Sequence, residues 1–186
     1  RKVDVVSSAL DFILPFEKYK ITAGAKVSFT NTRNGINYDT SDPTLVQDDY
    51  FRYKEQIYAL YADYSREFSE RFSMQLGLRM EHTRTTGISE AKDTEDKHDY
   101  TRLFPTVYLL YSPTDGHALN FSFSNRISRP SQNMVNPFPF YQNKYTYACG
   151  REDLKPSYTY NAELGYTLKN NFNVSAYYSY SDDVFF

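Results

Sequence analysis

Apolar and polar residues alternate without a break along Phe72-Ser-Met-Gln-Leu-Gly-Leu-Arg-Met-Glu81. In an extended chain successive side chains point to opposite sides, so Phe72, Met74, Leu76, Leu78 and Met80 form one greasy face. Ser73, Gln75, Gly77, Arg79 and Glu81 form a wet one. The pattern recurs along the chain in stretches of about ten residues, joined by turns that are alternately short and long. Strands of a soluble sandwich usually run to about 5–6 residues, whereas a tilted strand needs about 9–11 to cross a bilayer. The alternation therefore predicts an all-β, antiparallel transmembrane β-barrel with about eight strands visible, residues 1–186 forming a single piece.

The predicted strands run from about Asp4 to Leu14, Lys20 to Arg33, Tyr50 to Phe68 and Phe72 onward. They continue from Tyr100 to Ser112, Ala118 to Ser128, Tyr158 to Leu168 and Phe172 to the end. In the third, Tyr58, Leu60, Ala62 and Tyr64 are read as outward, although Ile57, Ala59 and Tyr61 make the other face apolar too. In the seventh, Tyr158, Tyr160, Ala162, Leu164 and Tyr166 are read as one apolar row. Short turns near Phe16, Ser69, Asp115 and Asn170 are assigned to the periplasm, because barrels of this kind keep short turns there and long loops outside. The loops are placed at Asn34–Asp49, Thr86–Asp99 and Arg129–Lys155. Both chain ends then lie outside, and Asp182-Asp-Val-Phe-Phe186 reads as a strand still rising. A cut piece of a larger barrel is the expectation.

Composition agrees with a barrel. No apolar run reaches the 18 residues of a spanning helix. The 19 Tyr and 14 Phe make 18% of the chain aromatic, and such rings gather at membrane interfaces. A formal charge of −2 and the lack of a basic aromatic stripe argue against nucleic acid. Cys149 is the only cysteine, so no internal disulfide is possible. His82, His98 and His117 show no spacing with a nucleophile or metal ligand that would support an enzyme. No catalytic residue, metal or cofactor is expected. The first two loops are acidic, yet neither has the spacing or glycine of a calcium loop.

The most specific residues flank the longest loop: Asn125-Arg-Ile-Ser-Arg-Pro-Ser131, Asn136-Pro-Phe138, Gly150, Leu154-Lys-Pro156 and Asn161-Ala-Glu-Leu-Gly-Tyr166. With Gly77-Leu-Arg-Met-Glu81 and Leu103-Phe-Pro105 they resemble the carboxy-terminal barrel of TonB-dependent receptors. The nearest subgroup is the outer-membrane β-barrel family abundant in Bacteroidetes-type bacteria, and the likeness extends from about Ala9 to Val184. That resemblance implies a barrel of about 22 strands closed by an amino-terminal plug. It also implies the TonB complex as partner through the plug, which together with the remaining strands lies outside this stretch. The bacterial outer membrane and its lipopolysaccharide are implied surroundings, with a surface lipoprotein as a further partner.

Two sets of residues are candidates for function. Arg79, Glu81, Arg126 and Glu163 fall on wet faces and are read as a lumen-facing network. Arg126, Arg129, Phe138, Tyr141, Tyr145, Tyr147 and Glu163 are read as ligand-binding, the aromatic members stacking on a sugar ring or aromatic cargo. The plainer readings are a solvated lumen that braces a plug and a loop packed on itself. The function expected is uptake of a glycan, peptide or metal chelate. The alternatives are a complete small eight-stranded barrel with a structural or adhesive role, and a soluble β-rich binding module. The module requires the apolar faces to pack against each other.

Overall fold

A computed structural model describes residues 2–36, 49–89, 94–136, 140–143, 146–151, 154–169 and 171–184. One antiparallel sheet dominates it, built from β1 (Lys2–Pro15), β2 (Tyr19–Ile36), β3 (Asp49–Ser69), β4 (Phe72–Ser89), β5 (Thr94–Tyr111) and β6 (His117–Ser128). After β6 come a single helical turn α1 (Gln132–Val135) and a small hairpin of β7 (Phe140–Asn143) and β8 (Thr146–Ala148). The wall resumes with β9 (Ser157–Leu168) and β10 (Phe172–Asp182). The eight long strands lie in the order β1-β2-β3-β4-β5-β6-β9-β10, so every neighbour is a hairpin partner in sequence apart from the excursion after β6. Among the described residues β10 does not pair with β1, and the sheet stays open rather than closing into an eight-stranded barrel.

Register fixes the two faces. Ala59 pairs with Glu81, Tyr61 with Arg79 and Leu60 with Met80. Odd residues of β3 therefore share the wet face of β4, and Tyr58, Leu60, Ala62 and Tyr64 turn outward as expected. Ala59 is buried while Leu60 is 55% exposed, as are Leu78 at 50% and Leu103 at 55%. No second layer covers this outward band among the described residues, which removes the packing that a soluble sandwich needs. Aromatic rings mark the band's lower edge: Phe16 stacks on Tyr19, Tyr19 tilts against Tyr64, and Phe68 meets Phe72. Phe29, Tyr58 and His82 meet across three strands toward the loop end.

The strands are longer than the sequence pattern indicates. β4 holds 18 residues and β3 holds 21, about twice what the bilayer takes. The surplus lies on the loop side, where neither face contacts lipid and the alternation fades. The expected second loop at Thr86–Asp99 is therefore mostly ladder: Thr86 pairs with Lys97, Gly87 with Asp96 and Ser89 with Thr94. Of its acidic residues, Glu95, Asp96 and Asp99 are strand residues with basic neighbours, while Glu90 and Asp93 lie outside the described residues. Arg84 binds Asp99 at 2.9 Å, Lys97 meets Glu95 at 3.0 Å, and His98 lies 3.4 Å from Asp96. The first loop is trimmed in the same way, since Asn34, Gly35 and Ile36 pair with Phe51, Tyr50 and Asp49. Asp39, Asp42 and Asp48 lie outside the described residues.

One part of the wall is split. The β5–β6 ladder ends at Thr106–Ser124, whereas β6 and β9 stay paired up to Ser128–Ser157. The alternation puts Tyr158 with the outward Tyr160 and Leu164, but it is buried, with its ring 6.5 Å from that of Phe104. Its burial coincides with the opening between the two strands. Asn125 partly bridges that opening by donating to the Leu103 carbonyl at 3.5 Å.

Candidate functional site on the lumenal face

The wet face carries its most connected group where β3 and β4 rise above the membrane band. Glu81 and Thr83 of β4 and Glu55 of β3 share this face, because Glu55 pairs with Thr85 and Ala59 with Glu81. Glu81 is 7% exposed and Thr83 fully buried. Neither carboxylate could remain there alone, since burying an isolated charge costs several kcal/mol, about as much as a small domain's whole stability. The compensating cation comes from outside the strands. Arg129, the first residue after β6, donates from Nη2 to Glu81 at 2.8 Å and to Thr83 Oγ1 at 3.2 Å. Its Nε lies 3.8 Å from Glu55.

Arg79 approaches the other oxygen of Glu81 at 3.3 Å, and its guanidinium lies 5.0 Å above the Phe104 ring. Two arginines thus face two carboxylates. Burial works against the charge of Arg129, but the hydrogen bond to Glu81 and the nearby Tyr100, Glu81 and Glu55 more than offset it. Its guanidinium stays protonated above its ordinary range. Arginine suits the position because its planar fork reaches several acceptors from one centre, which the single ammonium of lysine does not.

To reach Glu81 and Glu55 from the end of β6, Arg129 crosses the lumenal side of β5 and β4. The segment behind it follows the same path. Val135, at the end of α1, is buried beside Phe51, Gly87 and Ser89 of β3 and β4. The return of the loop ties to its outgoing limb, Gly150 donating to the Asn136 carbonyl at 2.8 Å and Arg151 to that of Met134 at 2.7 Å. A Cβ at position 150 would come within 2.4 Å of the Met134 carbonyl oxygen, so only glycine permits this approach. The base of the long loop is therefore an inward strap over the lumenal wall. The chain leaves the sheet at Ser128, well before the Asn136-Pro-Phe-Pro139 run that forbids a ladder.

Arg129 separates two recesses. One, of about 640 Å³, extends down the lumenal wall past Arg79, Phe104 and Arg126. The other, of about 430 Å³, lies under the strap among Tyr53, Tyr100, Arg102, Tyr158 and Leu154. Arg102 covers the Tyr158 ring at 5.0 Å. Charged hydrogen-bonding groups beside aromatic faces can hold a polar ligand with flat apolar surfaces. Among the described residues no arrangement of nucleophile, base and orienting group accompanies them.

The residues singled out from sequence fare unequally. Arg79 and Glu81 meet directly and Arg129 joins them, so the network forms through Arg129 where Arg126 was expected to take part. Arg126 is exposed on the wall of the lower recess. Glu163 is exposed on β9, its strand partner being Ser122. Tyr147 lies exposed on β8, Tyr141 belongs to β7, and Phe138 and Tyr145 fall outside the described residues. Glu55, Thr83 and Tyr100 escaped the sequence reading. The odd parity of β3, carried upward from Ala59, would have found Glu55.

A one-layer antiparallel wall with a lipid-facing apolar band and a charged lumen defines a transmembrane β-barrel of the outer-membrane type. The chain belongs to the outer membrane protein beta-barrel family, which it matches over residues 1–186. Curated proteins give no significant sequence match. Among solved structures its fold is similar to that of copper transporter OprC, with a TM-score of 0.68 and 12% identity over 94% of this chain and 30% of that one. The ferric yersiniabactin uptake receptor FyuA from Yersinia pestis gives 0.60 and 16% identity, over 98% of this chain and 29% of that one. Ferric citrate transporter FecA gives 0.55 and 13%, over 91% and 25%. The chain thus has the fold of TonB-dependent receptor barrels and spans less than a third of each. Its place is the bacterial outer membrane, and the proteins it resembles are receptors and transporters rather than enzymes.

Proposed function

We propose that residues 1–186 are part of the wall of a larger, plugged barrel that imports a nutrient across the outer membrane with energy relayed through TonB. The observation that carries this reading is the open edge. Among the described residues the outer edges of β1 and β10 are unpaired, in a sheet that coincides over most of its length with part of each large receptor barrel. An unpaired edge in lipid leaves backbone groups unsatisfied at several kcal/mol each, so further strands must complete the wall. The two recesses and the Arg129 cluster line the route, and Phe138, Tyr141, Tyr145 and Tyr147 of the long loop are the sequence's candidates for stacking on the cargo. The cargo class is a glycan, a peptide or a metal chelate, and a surface lipoprotein is the partner that would present it.

The test is the denatured mass of the native protein, purified from outer membranes and identified by peptides of this stretch. A mass several times 21.8 kDa is expected. A mass near 21.8 kDa would overturn the reading in favour of a small barrel. Deleting the protein should also abolish growth on one cargo class while leaving growth on simple nutrients intact.

A further inference from the structure

Three prolines interrupt the wall between β5 and β9. The β5–β6 ladder ends at Thr106–Ser124, so the next pair would set Pro105 against Asn125. The Leu103 carbonyl accepts from Asn125 across the opening, while Ser112 donates the other way, to Arg71 at 2.7 Å. Odd residues of β5 therefore aim N–H and C=O at β6, and even ones aim them at β4. Pro105 is odd, has no N–H to give β6, and ends the ladder there. Further toward the loops, Pro130 follows β6 by two residues and Pro156 directly precedes β9, and the β6–β9 ladder stops at Ser128–Ser157. β5 nevertheless continues, paired with β4, as far as Thr94. Among the described residues its other edge has no ladder partner beyond Thr106. Unlike the outer edges of β1 and β10, this one lies inside the sheet, where further wall strands have no place.

The recess of about 430 Å³ under the strap runs along this edge. Lys97, His98, Asp99 and Tyr100 line it in succession. Successive residues face opposite sides, so they border one space only along the edge of the strand. Pro130, Leu154 and Pro156 line the same recess from outside the sheet, and neither proline can donate to a ladder. Arg129 Nε, buried beside the recess, has no hydrogen-bond partner. The slot thus offers N–H and C=O together at Lys97, Asp99 and Thr101, repeating every ~6.8 Å on one side. An extended peptide repeats its own donors and acceptors at that spacing, as the hydroxyls of a glycan and the shell of a metal chelate do not. Lys97 to Thr101 spans about 14 Å, the length of about four extended residues. We propose that the slot binds an extended peptide, which adds a short strand to β5 where β6 has turned away. The proposal rests on the uptake reading and narrows its cargo to peptides.

The experiment uses the full-length protein in mild detergent, mixed with a peptic hydrolysate of casein and analysed by native mass spectrometry. A captured peptide is then resynthesised with one N-methyl amide at a time and titrated again. Methylation of each amide that faces β5 should weaken binding about five- to tenfold, and of each amide between them less than about twofold. A scan without that period of two would overturn the proposal. Thr101→Pro removes one N–H from the slot and no β4 ladder bond, so it should weaken the same peptide about tenfold. Unchanged binding would overturn the site, and the methyl scan, made on the unaltered protein, decides the matter if the variant does not fold. Capture of no peptide by a protein of the expected large mass would refute the slot and leave uptake of another cargo standing. A mass near 21.8 kDa would refute uptake even where the scan showed its period.

Discussion

Arg129→Ala tests whether one side chain holds the strap against the wall. The substitution leaves Glu55 and Glu81, with side chains 17% and 9% exposed, without their main counter-charge. Removing one member of a buried pair costs about 3–5 kcal/mol because the remaining charge stays desolvated. Two features reduce that here: Arg79 remains 3.3 Å from Glu81, and Arg129 itself is 22% exposed. A loss of about 2–3 kcal/mol is therefore expected. Urea titration of the full-length protein in lipid vesicles, read by heat-modifiable gel mobility, would measure it. Native-state hydrogen exchange at amides 134–136 and 150–151 would show that the loop base opens first. Arg129→Ala combined with Glu81→Gln should lose less than the sum of the two, by about 1–2 kcal/mol, since the residues contact each other. Arg129→Lys should recover only part of the loss. Arg126→Ala, at an exposed position one turn of pattern away, should cost no more than about 0.5 kcal/mol. Equal effects of the Arg129 and Arg126 changes would refute the pin.

Two further outcomes follow from burial. Val135→Asp places a charge in the pocket of Phe51, Gly87 and Ser89, so the strap should detach and limited proteolysis should cleave near residues 129–136 at least tenfold faster, with the wall intact. Leu78→Arg puts a cation at mid-band on the lipid face and should destabilise the barrel in vesicles by about 2–4 kcal/mol, whereas Gln75→Arg on the lumenal face should change stability by less than about 1 kcal/mol.

The wall was legible because bilayer and lumen impose opposite demands on alternate residues. Leu60, Leu78 and Leu103 could face only lipid, and that settled the register even of β3, whose two faces are both apolar. The pattern lost its meaning where the lipid ends. Above the girdle Thr83, Thr85 and Thr86 are polar on both faces, so a continuing hairpin looked like a loop, and Glu95, Asp96 and Asp99 looked like a solvated acidic run. Tyr158 misled for a related reason: parity predicts a side chain's face only while both neighbouring ladders persist, and β5 has already parted from β6 there. Arg126 had the correct parity and Arg129 had none to read, being outside a strand.

The lumenal site therefore depends on something a periodicity cannot encode, the path of the chain after it leaves the sheet. Glu55 and Glu81 sit on strands two and one places from β5, and the residue that neutralises them comes from the far end of β6. Such a contact forms only if the loop folds inward, and folding inward needs Gly150 to pass close to Met134 and Val135 to find Phe51. These conditions reinforce each other: the tie at Gly150 limits the freedom of the loop base, which lowers the entropy lost when Arg129 docks. A buried Glu81 and a half-buried Glu55 facing the lumen make an outward loop costly, because it would leave them unpaired. The wall thereby specifies the loop's direction, and the loop in turn divides the lumen into an upper and a lower recess. A ligand group that competes for Arg129 would have to release the strap to pass between them.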